Sequence, residues 1–311
     1  MSILDFTLTP LLYGISSLPL WVLHRFSDGL YLVVYRLWGY RRKVVRENLK
    51  NSFPEKSEGE LLAIEKKFYR NFCDLIVESI KTFTISPRSL RSRVVFRTPE
   101  VADRLFQEKK NIAGISAHFG NWEWLGTAMA LELKQECYAV YKPLKSSYFN
   151  RLIFGSRSRF GSKFVTFTGL CHVYTGSIDR PILAALLADQ APHDYSRAFQ
   201  LRFLNQKTYS VMGPGFITAK RGFTPVFASI HRVARSRYEW AFEEIPIERP
   251  KDWTEADQKQ IPGVGEKFGM TLEQAEQALW ITKEFNRRLE IHIRNFPEDW
   301  LWSHRRWKSR T

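Results

Sequence analysis

The sequence predicts an α/β fold in which a mixed central sheet is flanked by helices, with a hydrophobic helical anchor at the N-terminus. Three observations predict it. Beyond Pro99, short apolar runs alternate with helical segments, as strands alternate with the helices that cover a sheet. Two spacings of the S/T-x-x-E/Q kind each open a stretch with a single apolar face. Residues 3–23 hold one charge, Asp5, among aliphatic and aromatic side chains.

Along the chain the anchor comes first. The run from Ile3 to Leu23 is just long enough to cross a hydrocarbon core of ~30 Å, which takes about 20 helical residues. His24-Arg25 interrupts, a second apolar run extends from Leu30 to Leu37, and Arg41-Arg42-Lys43 closes it. No small-residue cleavage site follows, so the segment reads as a retained anchor and not as a removed signal peptide. Pro10, Gly14 and Pro19 suit a buried helical hairpin, whereas Tyr13, Trp21 and Tyr31 beside a cationic flank suit a bilayer interface. The expected division is therefore 1–40 as anchor and 41–311 as a single functional body.

Ser57-Glu-Gly-Glu60 caps a helix whose stripe is Leu61, Ile64, Phe68, Phe72, Leu75 and Ile80. Apolar runs at 112–117, 137–141, 164–167, 182–188, 225–230 and 238–245 predict strands. Arg249 to Gly269, with Pro250, Pro262, Gly263 and Gly265, reads as a long surface loop. Thr271-Leu-Glu-Gln274 opens the last helix, which Pro297 stops.

The 311 residues carry 47 Lys and Arg against 32 Asp and Glu, a net charge of +15, so an anionic partner is expected. At 44% hydrophobic and 25% charged the chain is neither disordered nor a multi-span membrane protein. Its three cysteines, Cys73, Cys137 and Cys171, are odd in number and far apart, which argues against a disulfide framework and a zinc site. The basic clusters are spread along the whole chain and no zinc-finger, RNP-like or G-x-x-G motif accompanies them, so a nucleic-acid partner is not expected.

One segment is richer in chemistry than the rest: Asn111-Ile-Ala-Gly-Ile-Ser-Ala-His118-Phe-Gly120-Asn121-Trp122-Glu123. A strand delivers His118 at its carboxyl end, where open α/β sheets keep their sites. An imidazole suits a base at neutral pH, and Glu123 can orient it if Gly120 and Asn121 turn the chain before a helix begins near Trp122. The same residues also fit a structural histidine and an ordinary first-turn acid. No H-E-x-x-H and no G-x-S-x-G is present, which leaves neither a zinc protease nor a serine nucleophile. Asp189, after another apolar strand, is either a site acid or a helix cap.

His118-Phe-Gly-Asn-Trp-Glu123 resembles the H-x-x-x-x-[DE] signature of the lipid A biosynthesis acyltransferases, within the larger glycerolipid-type acyltransferase group. Further blocks extend the resemblance over nearly the whole chain. They are Arg41 to Pro54, Tyr141-Lys142-Pro to Arg151, the pair Arg157 and Arg159, Ala188-Asp189-Gln190, Phe203 through Gly213-Pro214 to Pro225, and Pro297 to Lys308. The chain departs from the family pattern at Ala191-Pro192, where a second acid is frequent, at Asn205, where many members have Gly, and at Trp307, which replaces Phe.

The resemblance implies a glycerolipid acyltransferase-like fold that transfers a fatty acyl chain from acyl carrier protein to a hydroxyl of a lipid A precursor, a membrane glycolipid. It makes His118 the general base, Glu123 its orienting acid, Arg159 or a backbone N–H near Gly120 the oxyanion donor, and Asp189 a further catalytic acid. To the substrates it assigns Asn121, Tyr141, Lys142, Arg157, Gln190 and Gly213, with His304, Arg305 and Arg306 as a phosphate-binding tail. It requires no metal and no cofactor, and it puts the enzyme on the cytoplasmic face of the bacterial inner membrane, whose anionic surface a basic protein suits. Two rival readings remain at this level: an acceptor that is an amino-acid-containing lipid or another glycolipid, and a non-enzymatic basic protein that binds membrane or nucleic acid.

Overall fold

A computed structural model describes residues 3–141, 146–166, 169–170, 173, 180–249, 251 and 253–307. Seven strands form the main sheet: β1 (Val94–Phe96), β2 (Ile112–Ser116), β3 (Glu136–Val140), β4 (Lys163–Val165), β5 (Ile182–Leu187), β8 (Thr224–Ala234) and β9 (Arg237–Glu244), in the order β1-β9-β8-β2-β5-β3-β4. All pairings are parallel except the β8-β9 hairpin, so the sheet is mixed, as expected. A separate hairpin, β6 (Ala198–Phe203) and β7 (Gln206–Val211), stands apart from it.

The central strand β2 is buried at all five positions, which is why Ile112-Ala-Gly-Ile-Ser reads as a continuous apolar run and not an alternating one. Both capping boxes form. Ser57 starts the helix Glu58–Lys81, Thr271 starts the helix Leu272–Asn295, and in each the N3 side chain bonds back to the cap. The latter helix buries Ala275, Leu279, Phe285, Leu289 and Ile293, and at Ala278 it comes so close to Gly215 that no Cβ would fit there.

Two expectations need correction. The apolar run from Ile3 to Leu23 is not one helix: it divides into Ile3–Ser17 and Leu20–Tyr31, followed by a π-helical turn Leu32–Leu37. Pro19 causes the break, because it has no N–H to give and drives Leu18 out of helical geometry. Among the described residues no helix is long and apolar enough to cross a membrane. Val34 and Tyr35 of this segment belong to the main core, and Leu23 is fully buried, while Trp21, Leu32, Leu37 and Trp38 are exposed.

The second correction is Arg249 to Gly269, which contains the helices Glu255–Gln258 and Ile261–Phe268 where a loop was expected. Thr254 and Asp257 form a capping box, Ile261 is buried, and Gly269 ends the second helix in the left-handed region.

Candidate active site

The site grows out of two neighbouring parallel strands. In the register of β2 on β5, Ser116 lies opposite Leu187, and Ala188 N–H donates to the Ser116 carbonyl at 3.0 Å. Two residues further along each chain, His118 stands beside Asp189. The Nδ1–H of His118 donates to Asp189 Oδ1 at 2.8 Å, and its Nε2 lies 3.3 Å from the side-chain amide of Gln190. Because a carboxylate only accepts, this geometry fixes the tautomer: Nδ1 carries the proton and the Nε2 lone pair is the basic one. The remaining Asp189 oxygen, Oδ2, accepts from Trp300 Nε1 at 2.9 Å.

Burial alone would pull the His118 pKa down, but the Asp189 carboxylate and its hydrogen bond outweigh it, and the net shift is upward. Burial likewise works against the ionised form of Asp189; the imidazolium and the bonds from His118 and Trp300 reverse that and hold its pKa below the usual range. The ion pair is therefore the favoured state of the protonated site, and a proton taken up at Nε2 is compensated by a buried carboxylate.

Glu123 sits elsewhere than the motif spacing suggests. Gly120 adopts a positive φ of 52°, and Asn121 caps the helix Trp122–Glu132 by accepting from Trp124 N–H at 2.9 Å. The helix then directs Glu123 to Arg157, which embraces it in a two-pronged ion pair with Nε 2.6 Å from Oε2. His118 is thus oriented by Asp189, and Glu123 influences it only through space. Asn121 is fully buried and donates to the Glu78 carboxylate at 2.7 Å, so its side chain is committed to the scaffold.

A cavity of about 680 Å³ opens beside this pair, lined by His118, Trp122, Glu123, Arg157, Gln190 and Tyr141 at its polar parts. Leu125, Gly126, Met129, Ala139, Val140, Phe164 and Leu186 supply its apolar wall. Its size falls within the usual range for a small-molecule site, roughly 300–1,000 Å³, and a few polar groups converge on an otherwise greasy enclosure. The Trp122 ring meets the His118 ring edge-on with centroids 5.2 Å apart.

Several residues expected at the site lie outside it. Arg159 follows the last residue of the helix Ser147–Ser158 and donates to the carbonyls of Thr82 and Ile85, at 2.7 and 3.2 Å, so it does not face the cavity. Arg157, two residues earlier on the same helix, faces the opposite way, as helical geometry requires. The Gly120 N–H is also occupied, by the Asp299 carbonyl at 2.9 Å. Gly213 opens the helix Gly213–Arg221 and does not line the cavity. Arg306, expected to bind phosphate, is 1% exposed and donates to Thr208 Oγ1 and the Tyr209 carbonyl, both at 2.6 Å. His304 and Arg305 lie beyond the cavity lining, Arg305 being exposed, and Lys142 falls outside the described residues.

The sequence reading missed the apolar wall and Trp300. Ala185 of β5, a small side chain set among larger aliphatics, lines the cavity and was a usable sign that space is left beside that strand. No comparable local sign marks Trp300. Among the described residues, no group of three or more His, Cys, Asp or Glu side chains could hold a metal.

Compared with known families, the chain matches the model of the bacterial lipid A biosynthesis acyltransferases over residues 2–261 and 264–309. A search of curated proteins returns no match.

Proposed function

We propose, from the premise that this chain belongs to the bacterial lipid A biosynthesis acyltransferase family and is an enzyme transferring acyl groups, that it moves a fatty acyl chain from the thioester of acyl carrier protein to a hydroxyl of a lipid A precursor. One observation carries the mechanism: a histidine backed by a buried aspartate opens onto a cavity with an apolar wall. The acyl chain lies along Leu125, Gly126, Met129 and Phe164, and the thioester carbonyl stops near His118.

The acceptor hydroxyl takes the position that the Gln190 amide holds against His118 Nε2, which then removes its proton as the oxygen attacks the carbonyl carbon. Asp189 holds the imidazolium in register. Arg157, kept in place by Glu123, and the released Gln190 N–H face the developing oxyanion. When the C–S bond breaks, the thiolate of the carrier's prosthetic group takes the proton back from Nε2, and the base is restored. A positioned base of this kind contributes ~10²- to 10⁴-fold.

The net charge of +15 supports an acidic carrier protein and a phosphorylated glycolipid as partners. Trp21, Leu32, Leu37 and Trp38, exposed beside Arg36 and Arg41, support an N-terminal segment lying in the anionic cytoplasmic surface of the inner membrane. The test is to incubate the purified protein with acyl carrier proteins bearing different chains and an extract of lipid acceptors. A product heavier by one acyl group, absent with His118→Ala, is expected. Equal product from wild type and His118→Ala, or none from either, overturns the reading.

A further inference from the structure

We propose that Trp300 is a positioning residue of the His118–Asp189 pair, and that the segment around it is a clasp aligning both members at once. The indole Nε1 donates to Asp189 Oδ2 at 2.9 Å while Oδ1 receives His118 Nδ1–H at 2.8 Å, so each carboxylate oxygen has one side-chain donor and the plane of the group is fixed. The same segment reaches the histidine through its backbone. Leu301 N–H donates to the His118 carbonyl at 3.1 Å, Gly120 N–H donates to the Asp299 carbonyl at 2.9 Å, and Trp300 bridges Phe119 in antiparallel fashion.

The clasp is rigid. Trp300 is 2% exposed and packs edge-on against Trp302, with centroids 4.7 Å apart, and against Phe203 and Trp307 at 5.9 Å. Beyond it, the buried Arg306 fastens the chain to strand β7 through Thr208 and Tyr209. The indole N–H therefore meets Asp189 from an immobile wall. The charge-assisted bond it makes weakens the proton affinity of the carboxylate and stops it rotating away from Nδ1.

The consequence is directional. Without the indole N–H, Asp189 becomes the stronger base, holds the imidazolium more tightly and raises the His118 pKa further. The imidazolium then gives up its proton less readily to the leaving thiolate. This inference rests on the acyl-transfer reading for its kinetic arm only; the titration of His118 is independent of it.

The experiment replaces Trp300 in the full chain with benzothienylalanine, an isostere that keeps the ring shape and lacks the N–H, with Trp300→Phe as a second variant. The His118 imidazole is followed by NMR across pH, and kcat and KM are measured with an acyl carrier protein donor. For the isostere we expect an upward shift of the His118 pKa by up to about one unit, and a loss of about tenfold in kcat with KM little changed, in keeping with a hydrogen bond to a charged group. Trp300→Phe should shift the pKa in the same direction. An isostere with the wild-type pKa overturns the proposal whether or not the enzyme transfers acyl groups. Wild type that transfers no acyl chain while the isostere still shifts His118 leaves the clasp standing and removes the acyl-transfer reading.

Discussion

Gly126→Ala should make the protein more stable and change which acyl chain it prefers, and Gly126→Leu should enlarge the second effect. Gly126 lies inside the helix Trp122–Glu132, where alanine is favoured over glycine by about 1 kcal/mol. Apart from its chain neighbours and its own helix backbone, a Cβ at this position would meet no heavy atom within 4 Å, so no clash offsets that gain. Spread over 311 residues at ~2.1 cal/mol/K each, 1 kcal/mol raises Tm by about 1.5 °C. The open space is the cavity beside His118, between Leu125 and Met129. Each acyl methylene that a new side chain displaces forfeits ~0.8 kcal/mol of burial, roughly fourfold in kcat/KM for that chain length. A ladder of acyl carrier protein donors competing in one reaction, read by mass spectrometry, gives the profile; calorimetry gives Tm. A Gly126→Leu enzyme with the wild-type profile would refute the assignment of this wall to the acyl chain, and a Gly126→Ala protein that melts lower than wild type would refute the open space at Gly126.

Asp189→Asn should lower kcat by at least ~10²-fold, and the acid limb of its pH profile should move down, because burial then acts on His118 without the charge that offsets it; a loss under tenfold would mean that Asp189 is not the partner that matters. Arg159→Ala should leave kcat and KM within about twofold of wild type while costing about 1 kcal/mol in denaturant unfolding, since Arg159 ties the carbonyls of Thr82 and Ile85 at the end of the helix Glu58–Lys81. Burial raises the Asp299 pKa from 3.8 to about 6, so the folded chain keeps a proton that the unfolded chain has lost. That contribution is fully present below about pH 3.8 and lost as pH rises through 6, and at 1.36 kcal/mol per pH unit wild type should lose about 2.5 kcal/mol relative to Asp299→Asn between pH 4 and 7.

Much of the fold was legible because its signals are local. Ser57-Glu-Gly-Glu60 and Thr271-Leu-Glu-Gln274 are complete instructions for a helix start, and the central runs at β2 and β5 read as continuous apolar stretches because buried parallel strands have no polar face to hide. The β6-β7 hairpin escaped notice for a physical reason. Its turn residues Leu204 and Asn205 both have positive φ, 47° and 65°, where an Asn-Gly pair would have announced the turn. Leu204 holds that backbone with its side chain wholly buried and its N–H donating to the Glu290 carboxylate at 2.8 Å, contacts that no turn rule anticipates.

The two carboxylates near His118 show how a motif identifies neighbours without saying which of them touch. A spacing of five residues across a helix start leaves the direction of Glu123 to the turn before it, and the positive φ at Gly120 together with the Asn121 cap sends it outward to Arg157. The acid that does bond the imidazole arrives from a strand 71 residues away in sequence, and the register of β5 on β2 alone brings it there. Each acid then has an environment matched to its work. Asp189 is 3% exposed, with donors on both oxygens, and stays ionised against a buried imidazole. Glu123 keeps contact with the open cavity and holds a guanidinium there, which the proposed mechanism sets against the oxyanion. In the proposed mechanism the H-x-x-x-x-E signature thus supplies the base and the anchor of a cation. The relay that tunes the base comes from the end of β5 and from the C-terminal clasp that holds both strand ends in place.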